Sequence, residues 1–305
     1  MDESLQNLQP LVSIIIPGYN RAEYIAETIE SVLAQTYRNI EIIVVDDGST
    51  DNTREIVAEY LPKVQYIWQE NSERGASRNH GLRLAKGEFI SFLDSDDLWL
   101  PNKIESDLEF FNKNLSFGVI HTDAIQIDAN GNKLKLLKRK GFQGRITAKL
   151  LEDNFILMAT HLARTQVIRE IGGFREERQL SGSEDWEMWV RLSTVTDFAY
   201  LPKATTKIRT HEANTMSDAG GMNNSMDYAL EIFRNSKYLT AKQKKILSKT
   251  KAYVSLINAI NYCSVKESRK AATFLKRAFR NNFKIIFDPR FSYTILRLVK
   301  GYVIY

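Results

Sequence analysis

The spacing of apolar and polar positions changes period repeatedly along the first hundred residues. "LVSIIIP" (11–17) is a short β-branched run ended by Pro17, the pattern of a strand buried on both faces. "RAEYIAETIESVLAQT" (21–36) follows, with Ile25, Ile29, Val32 and Leu33 on one helical face. "EIIVVDD" predicts a second strand, and "GSTD" a turn and helix cap before "NTREIVAEYL". "VQYIWQE" predicts a third strand. "GASRNHGLRLAKG" reads as loop and helix, with Gly87 just past the helix end, and "EFISFLD" as a fourth strand. Strand and helix alternating with brief links predict an α/β fold whose parallel sheet is covered on both faces.

Beyond residue 100 the pattern is mixed. "FGVIHTDAIQID" predicts a strand and "ANGN" a turn; "ITAKLLEDNFI" predicts a helix, and "IREIGGFREE" ends one at a glycine pair. "SEDWEMWVRLST" has a helical start in which Ser183 can cap, with Glu184 and Asp185 in the first turn. From about 222 the pattern is helical to the end. No internal repeat or low-complexity tract interrupts it.

Composition bounds the class. At 305 residues, 43% hydrophobic and 26% charged, the chain suffices for a large α/β domain with an appendage. The single cysteine, Cys263, excludes an internal disulfide framework and fits a reducing compartment. "MDESLQNLQP" lacks the basic start and apolar stretch of a secretory signal, and "YTILRLVKGYVIY" is broken by Arg297 and Lys300. A cytoplasmic protein is expected, peripheral on the inner face of the cell membrane if it touches one. From Arg269 onward, nine Lys or Arg stand against one acid, Asp288; that excess exceeds the whole-chain +5, so the rest is slightly acidic. A basic tail suggests an anionic partner. "RKAATFLKRAFRNN" sets Ala271, Phe274, Leu275, Ala278 and Phe279 on one face, which suits packing inside the fold, a twin subunit, or an anionic membrane surface. It lacks an aromatic–basic motif for nucleic acid, and none is expected as partner.

The predicted strand ends are polar: Tyr19 and Asn20, Asp46 and Asp47, Asp94 and Asp96. In an open parallel sheet such ends face the ligand crevice. Asp94-Ser95-Asp96 has the oxygen donors for a hard divalent cation, though an acidic turn has the same letters. Asp47 in "VVDDGSTD" can accept from a nucleobase N–H or serve turn chemistry alone. "PGYNRAEY" has one glycine, so a dinucleotide-binding G-x-G-x-x-G is missing, and no P-loop occurs.

Taken together, "VSIIIPGYNRAEYIAETIESVLAQTYRNIEIIVVDDGSTDNT", "GASRNHGLRLAKGEFISFLDSDDLWLPNKI", "IGGFRE" and "SEDWEMWVRL" resemble family 2 glycosyltransferases over residues 10 to 215. The resemblance implies a GT-A fold, a nucleotide-sugar-binding catalytic domain (1–220) on a mostly parallel central sheet; it does not extend over the last ninety residues, where pattern and charge predict a helical, basic C-terminal region (221–305). It implies that Pro17 and Tyr19 cup the base of a nucleotide sugar and that Asp47 bonds its edge. Arg78 would lie near base or diphosphate, Asp94 at the ribose, and Asp96 on Mn²⁺ or Mg²⁺, with His211 completing the metal or diphosphate site. Asp97 would cap the following segment, and Asp185 would be the general base of an inverting single displacement. A nucleotide-sugar donor, UDP-linked by preference, and a glycan or lipid-linked acceptor are the implied partners; membrane contact by the tail would point to cell-envelope polysaccharide biosynthesis, and a homo-oligomer is compatible. "EDWEMWVRL" stands where processive relatives carry Q-x-x-R-W, which favours transfer of one sugar per encounter. A non-catalytic nucleotide-sugar-binding or scaffolding protein on the same fold is the competing expectation.

Overall fold

The computed structural model describes residues 9–211 and 219–302. Their contacts divide into two compact units. The first draws on the chain up to Ile146, 155–178 and 195–211. The second draws on 147–154, 179–194 and the helices from 219 on. The sequence places a boundary near 220; in the structure two inner segments, including the one that carries Asp185, join the C-terminal helices.

The first unit is built on a nine-stranded sheet. β1 (Val12–Gly18), β2 (Ile40–Asp46), β3 (Gln65–Trp68) and β4 (Phe89–Phe92) are its parallel half, in the spatial order β3-β2-β1-β4. Every residue of β1 and β4 is buried, as their unbroken apolar runs require. The connecting helices are α1 (Ile25–Leu33), α2 (Thr53–Ala58) and α3 (Glu73–Leu84). α1 buries Ile25, Ile29 and Val32 as its spacing predicts. Because β2 and β4 flank β1 on opposite sides, the strand order reverses there, and the carboxyl ends of β1 and β4 frame the crevice where such sheets bind ligands.

The far half is mixed. β5 (Leu98–Trp99), β6 (Phe117–Ile127), β7 (Lys133–Leu137), β8 (Leu162–Arg164) and β9 (Asp197–Arg209) extend it, with α4 (Lys103–Lys113) between β5 and β6. β8 runs antiparallel to both β4 and β6, while β9 lies parallel to β6 and antiparallel to β5. Gly87 does not cap α3, which ends at Leu84. It enters β4 where a Cβ would sit 2.6 Å from the Ser13 backbone nitrogen, so close approach of two chains is the reason for the glycine.

The second unit contains α5 (Thr147–Glu152) and α7 (Glu184–Leu192), and α6 (Thr165–Glu170) belongs to the first. α8 (Ala219–Asn235), α9 (Ala241–Lys244), α10 (Leu247–Ser264), α11 (Ser268–Asn281) and α12 (Pro289–Tyr302) complete it. Its core joins Leu256 and Ala259 to Ala271, Leu275, Ala278, Phe291 and Leu298. The apolar stripe of α11 is thus divided: Ala271, Leu275 and Ala278 pack inside, Phe274 stacks on Tyr262 at 5.4 Å, and Phe279 stays 48% exposed.

Candidate active site

At the ends of β1 and β2 the two adjacent aspartates do different things. Asp46 accepts the Ser49 N–H of the turn on one oxygen (2.8 Å) and the Tyr66 hydroxyl from β3 on the other (2.6 Å), so both oxygens are spent on structure. Asp47 extends the ladder by donating its N–H to the Gly18 carbonyl (2.8 Å). Its carboxylate receives Gln69 Nε2 (2.7 Å) and the Ser72 N–H (2.9 Å) on Oδ1. Gly48 makes the reversal with φ +81°, and a Cβ there would meet the Asn71 nitrogen at 3.0 Å. Since the Gln69 amide nitrogen faces Asp47, its oxygen accepts from His80 Nδ1 at 2.8 Å. Burial, helped by Arg83, lowers the His80 pKa below the usual imidazole range. The sequence left His80 and Gln69 unassigned; they hold Asp47 from behind.

Pro17 is buried in β1 opposite Val45, and Tyr19 just beyond it leaves 47% of its surface exposed. The next residue, Asn20, has φ 51° and ties this loop to the neighbouring one, accepting the Thr50 N–H (2.8 Å) and donating its own to Ser49 Oγ (2.9 Å). The two strand-end loops therefore form one cross-braced rim beside the exposed Tyr19.

The loop after β4 holds the carboxylates. Arg78, almost fully buried on α3, donates from Nη2 to Asp94 Oδ1 (2.8 Å) and lies over the Phe174 ring. Burial pushes the Asp94 carboxyl up, but the charges of Arg78, Arg74 and Arg21 outweigh it and leave the group below the usual carboxylate range. Asp96 Oδ2 meets His211 Nε2 at 3.0 Å and has Arg21 Nε at 3.8 Å. Asp97 is a correction. It does not cap the following segment; it is buried and accepts the Arg209 N–H from β9 (2.9 Å). Burial and then the neighbouring Asp96 and Asp94 charges push its carboxyl well up.

Arg209 is the residue the sequence reading missed. Its guanidinium is buried and donates to the Asp96 carbonyl (2.9 Å), the Ala129 carbonyl (2.6 Å) and Glu27 Oε2 (2.7 Å). It packs on Tyr24, against which His211 also lies with ring centroids 4.8 Å apart. The signal was present in "IRTHE": Arg209 and His211, two apart at the end of a strand, project to the same side.

The Asp96–His211 pair fits a hard divalent cation. A carboxylate oxygen and an imidazole nitrogen 3.0 Å apart have the spacing of neighbouring ligands in an octahedral shell with bonds of about 2.1 Å. Among the described residues no cluster of three or more His, Cys, Asp or Glu forms a complete cage. Two protein ligands leave the other positions to phosphate oxygens and water, which is how Mg²⁺ is held in phosphate-handling sites.

Asp185 belongs to the second unit, in the first turn of α7. Its carboxylate accepts Asn154 Nδ2 (3.2 Å) and its neighbour's N–H from Trp186 (2.6 Å), and remains partly exposed. Ser183, predicted to cap α7, makes no cap bond; its hydroxyl pairs with Ser225 at 2.9 Å. Trp186 fixes the helix by donating from Nε1 to the Leu150 carbonyl (2.7 Å) and packing edge-on to Phe233.

The family model described as "Glycosyl transferase family 2" matches residues 13–172. An uncharacterised glycosyltransferase of Rickettsia typhi is 38% identical over 69% of this chain and 67% of its own length. Chondroitin synthase of Escherichia coli is 34% identical over 68% of this chain, which spans only 30% of that protein. Among solved structures, residues 1–349 of S. aureus TarS in complex with UDP-GlcNAc superpose with a TM-score of 0.66 at 22% identity, over 95% of this chain and 89% of that one. Mannosyltransferase PcManGT of Pyrobaculum calidifontis, in complex with GDP-Man and Mn²⁺, gives 0.63 at 18% identity over 97% and 87%. At those identities the likeness is one of fold.

Proposed function

The chain belongs to glycosyltransferase family 2, and from that premise we propose that it transfers a sugar from a nucleotide-linked donor, UDP-linked by preference, to a hydroxyl of a glycan or lipid-linked acceptor, with inversion. The observation that carries the reading is the meeting of Asp96 with His211, 115 residues apart in sequence, beside the Arg78–Asp94 pair at the crevice end of the parallel strands. A non-catalytic nucleotide-sugar binder could use the same seat to hold a diphosphate, and turnover separates the two readings.

In this mechanism Pro17 and Tyr19 wall the base, and Asp47, held on one oxygen by Gln69 and Ser72, accepts a base N–H with the other. Asp94, kept ionised by Arg78, binds the ribose hydroxyls. Asp96 and His211 would hold Mn²⁺ or Mg²⁺, which when bound neutralises the charge developing on the nucleoside diphosphate. Asp185 takes the proton from the acceptor hydroxyl as its oxygen bonds to C1 and the C1–O bond to the diphosphate breaks. One displacement inverts C1, and the proton ends on the Asp185 carboxylate.

The test is a thermal-shift screen of UDP-, GDP- and dTDP-sugars with and without Mn²⁺, followed by two variants. Asp96→Ala loses the metal-coupled part of donor binding. Asp185→Asn binds donor within about twofold of the parent yet turns over about 10²- to 10⁴-fold more slowly, the usual contribution of a general base. Equal turnover by Asp185→Asn removes the base assignment; absence of any metal-dependent stabilisation by any of the three nucleotides removes the donor-site reading.

A further inference from the structure

The second unit covers one face of α11 and leaves aromatic surface beside it in water. Phe279 near its end is 48% exposed, and in the tight turn that follows, Phe283–Phe287, Phe283 is 60% and Phe287 78% exposed. α12 adds Tyr293, Leu296 and Val299, each more than half exposed. Between α11 and α12 runs an open groove of about 320 Å³, floored by Leu275, Phe291 and Leu298 and edged by Lys276, Phe279 and Arg280. So many large apolar groups in one short stretch of chain mark a surface that meets something else.

The charges say what. Three cations on these helices are neutralised within the unit: Arg277 forks onto Asp227 (2.9 and 3.0 Å), Arg290 pairs with Asp288, and Lys270 reaches Glu267. Among the described residues, Lys276, Arg280 and Lys284, which flank the exposed phenylalanines, have no carboxylate partner. The groove therefore sets the Phe279 ring beside two unneutralised cations, Lys276 and Arg280, and Lys284 follows in the turn next to Phe283. An isologous contact with a second copy would bring those cations toward one another. Exposed aromatic rings beside unpaired cations match a surface with an apolar interior under an anionic skin.

We propose that the α11–α12 edge seats this protein on an anionic lipid bilayer, with Phe279, Phe283 and Phe287 entering the boundary between headgroups and acyl chains and Lys276, Arg280 and Lys284 facing lipid phosphates. The experiment is flotation of the full chain with vesicles of phosphatidylcholine alone and of phosphatidylcholine doped with phosphatidylglycerol, at low and high salt. The parent floats with the anionic vesicles only, and less so as salt rises. Each of Lys276→Gln, Arg280→Gln and Lys284→Gln weakens partition about fivefold, the usual worth of one basic side chain at such a surface. The double variant F283E/F287E loses flotation. Its thermal midpoint stays within a few degrees of the parent's, because both side chains are more than half exposed. Failure of the parent to float, or equal flotation by the parent and F283E/F287E, overturns the proposal. So does a dimer in light scattering that F283E/F287E abolishes while vesicle binding is absent; that result would assign the face to a second copy.

Discussion

Arg209 bonds to the carbonyl of Asp96 and, through its backbone, to the carboxylate of Asp97, so one buried side chain sets the loop from which Asp96 faces His211. Lysine at this position keeps the charge but cannot reach three acceptors in a fixed fork. Arg209→Lys is expected to weaken Mn²⁺ binding in the presence of UDP about 10- to 100-fold, the range seen when a partner behind a metal ligand is lost. Calorimetric titration reads it, and an unchanged affinity would show that the loop holds itself. A second prediction concerns two histidines outside the site. His161, fully buried and stacked on Phe92, is pushed down to about 3 by burial, and His121, between Phe155 and Tyr200, to about 4. Unfolded, both take up a proton near pH 6.5. Below that pH the unfolded chain binds protons that the folded one refuses, so stability is lost as pH falls from 6.5 toward 4. Each contributes a slope of up to about 1.4 kcal/mol per pH unit. Urea unfolding of the parent and His121→Phe at pH 7, 6 and 5 isolates one share from the opposing titration of Asp97: the parent should lose stability relative to the variant on acidification.

At the scale of elements, the parallel half was readable because its strands are uninterrupted apolar runs and its helices are amphipathic. The far half was not. β9 reads "DFAYLPKATTKIR", with Pro202 and Lys203 in its middle and threonines where a buried strand would show aliphatic residues. Its identity as a strand comes from pairing along nearly the whole of β6, which no local period announces. β8 is too short to show a period and is fixed by antiparallel neighbours on both sides. Close packing between elements is equally hidden. Gly87→Ala improves local propensity yet drives a methyl to 2.6 Å from backbone at Ser13 and 2.7 Å from the Phe89 carbonyl, atoms that cannot rotate away. A loss of about 1 to 3 kcal/mol or more is expected in chemical denaturation; a neutral result would mean that the β1–β4 edge slides freely.

For the whole molecule, a ligand that binds only the folded chain stabilises it by mass action, about 2.7 kcal/mol at a hundred times its Kd. The melting temperature should therefore climb with the logarithm of nucleotide concentration, and in the Asp96→Ala variant that climb should no longer depend on Mn²⁺. The chain's order of apolar runs determined by itself the α/β class, the parallel half and the helical end, because those follow from period and length alone. It also put Asp47, Asp94 and Asp96 at strand ends. Only the tertiary structure decided that Asp46 is spent on structure while Asp47 is held with one oxygen by Gln69, that Asp97 serves β9, and that Arg209 buttresses the Asp96–His211 contact. It also decided which aromatic groups of the tail pack inside and which face outward. The reason is physical: a side chain's partner is set by where distant segments cross, and two residues 115 positions apart share no local pattern by which their contact could be read.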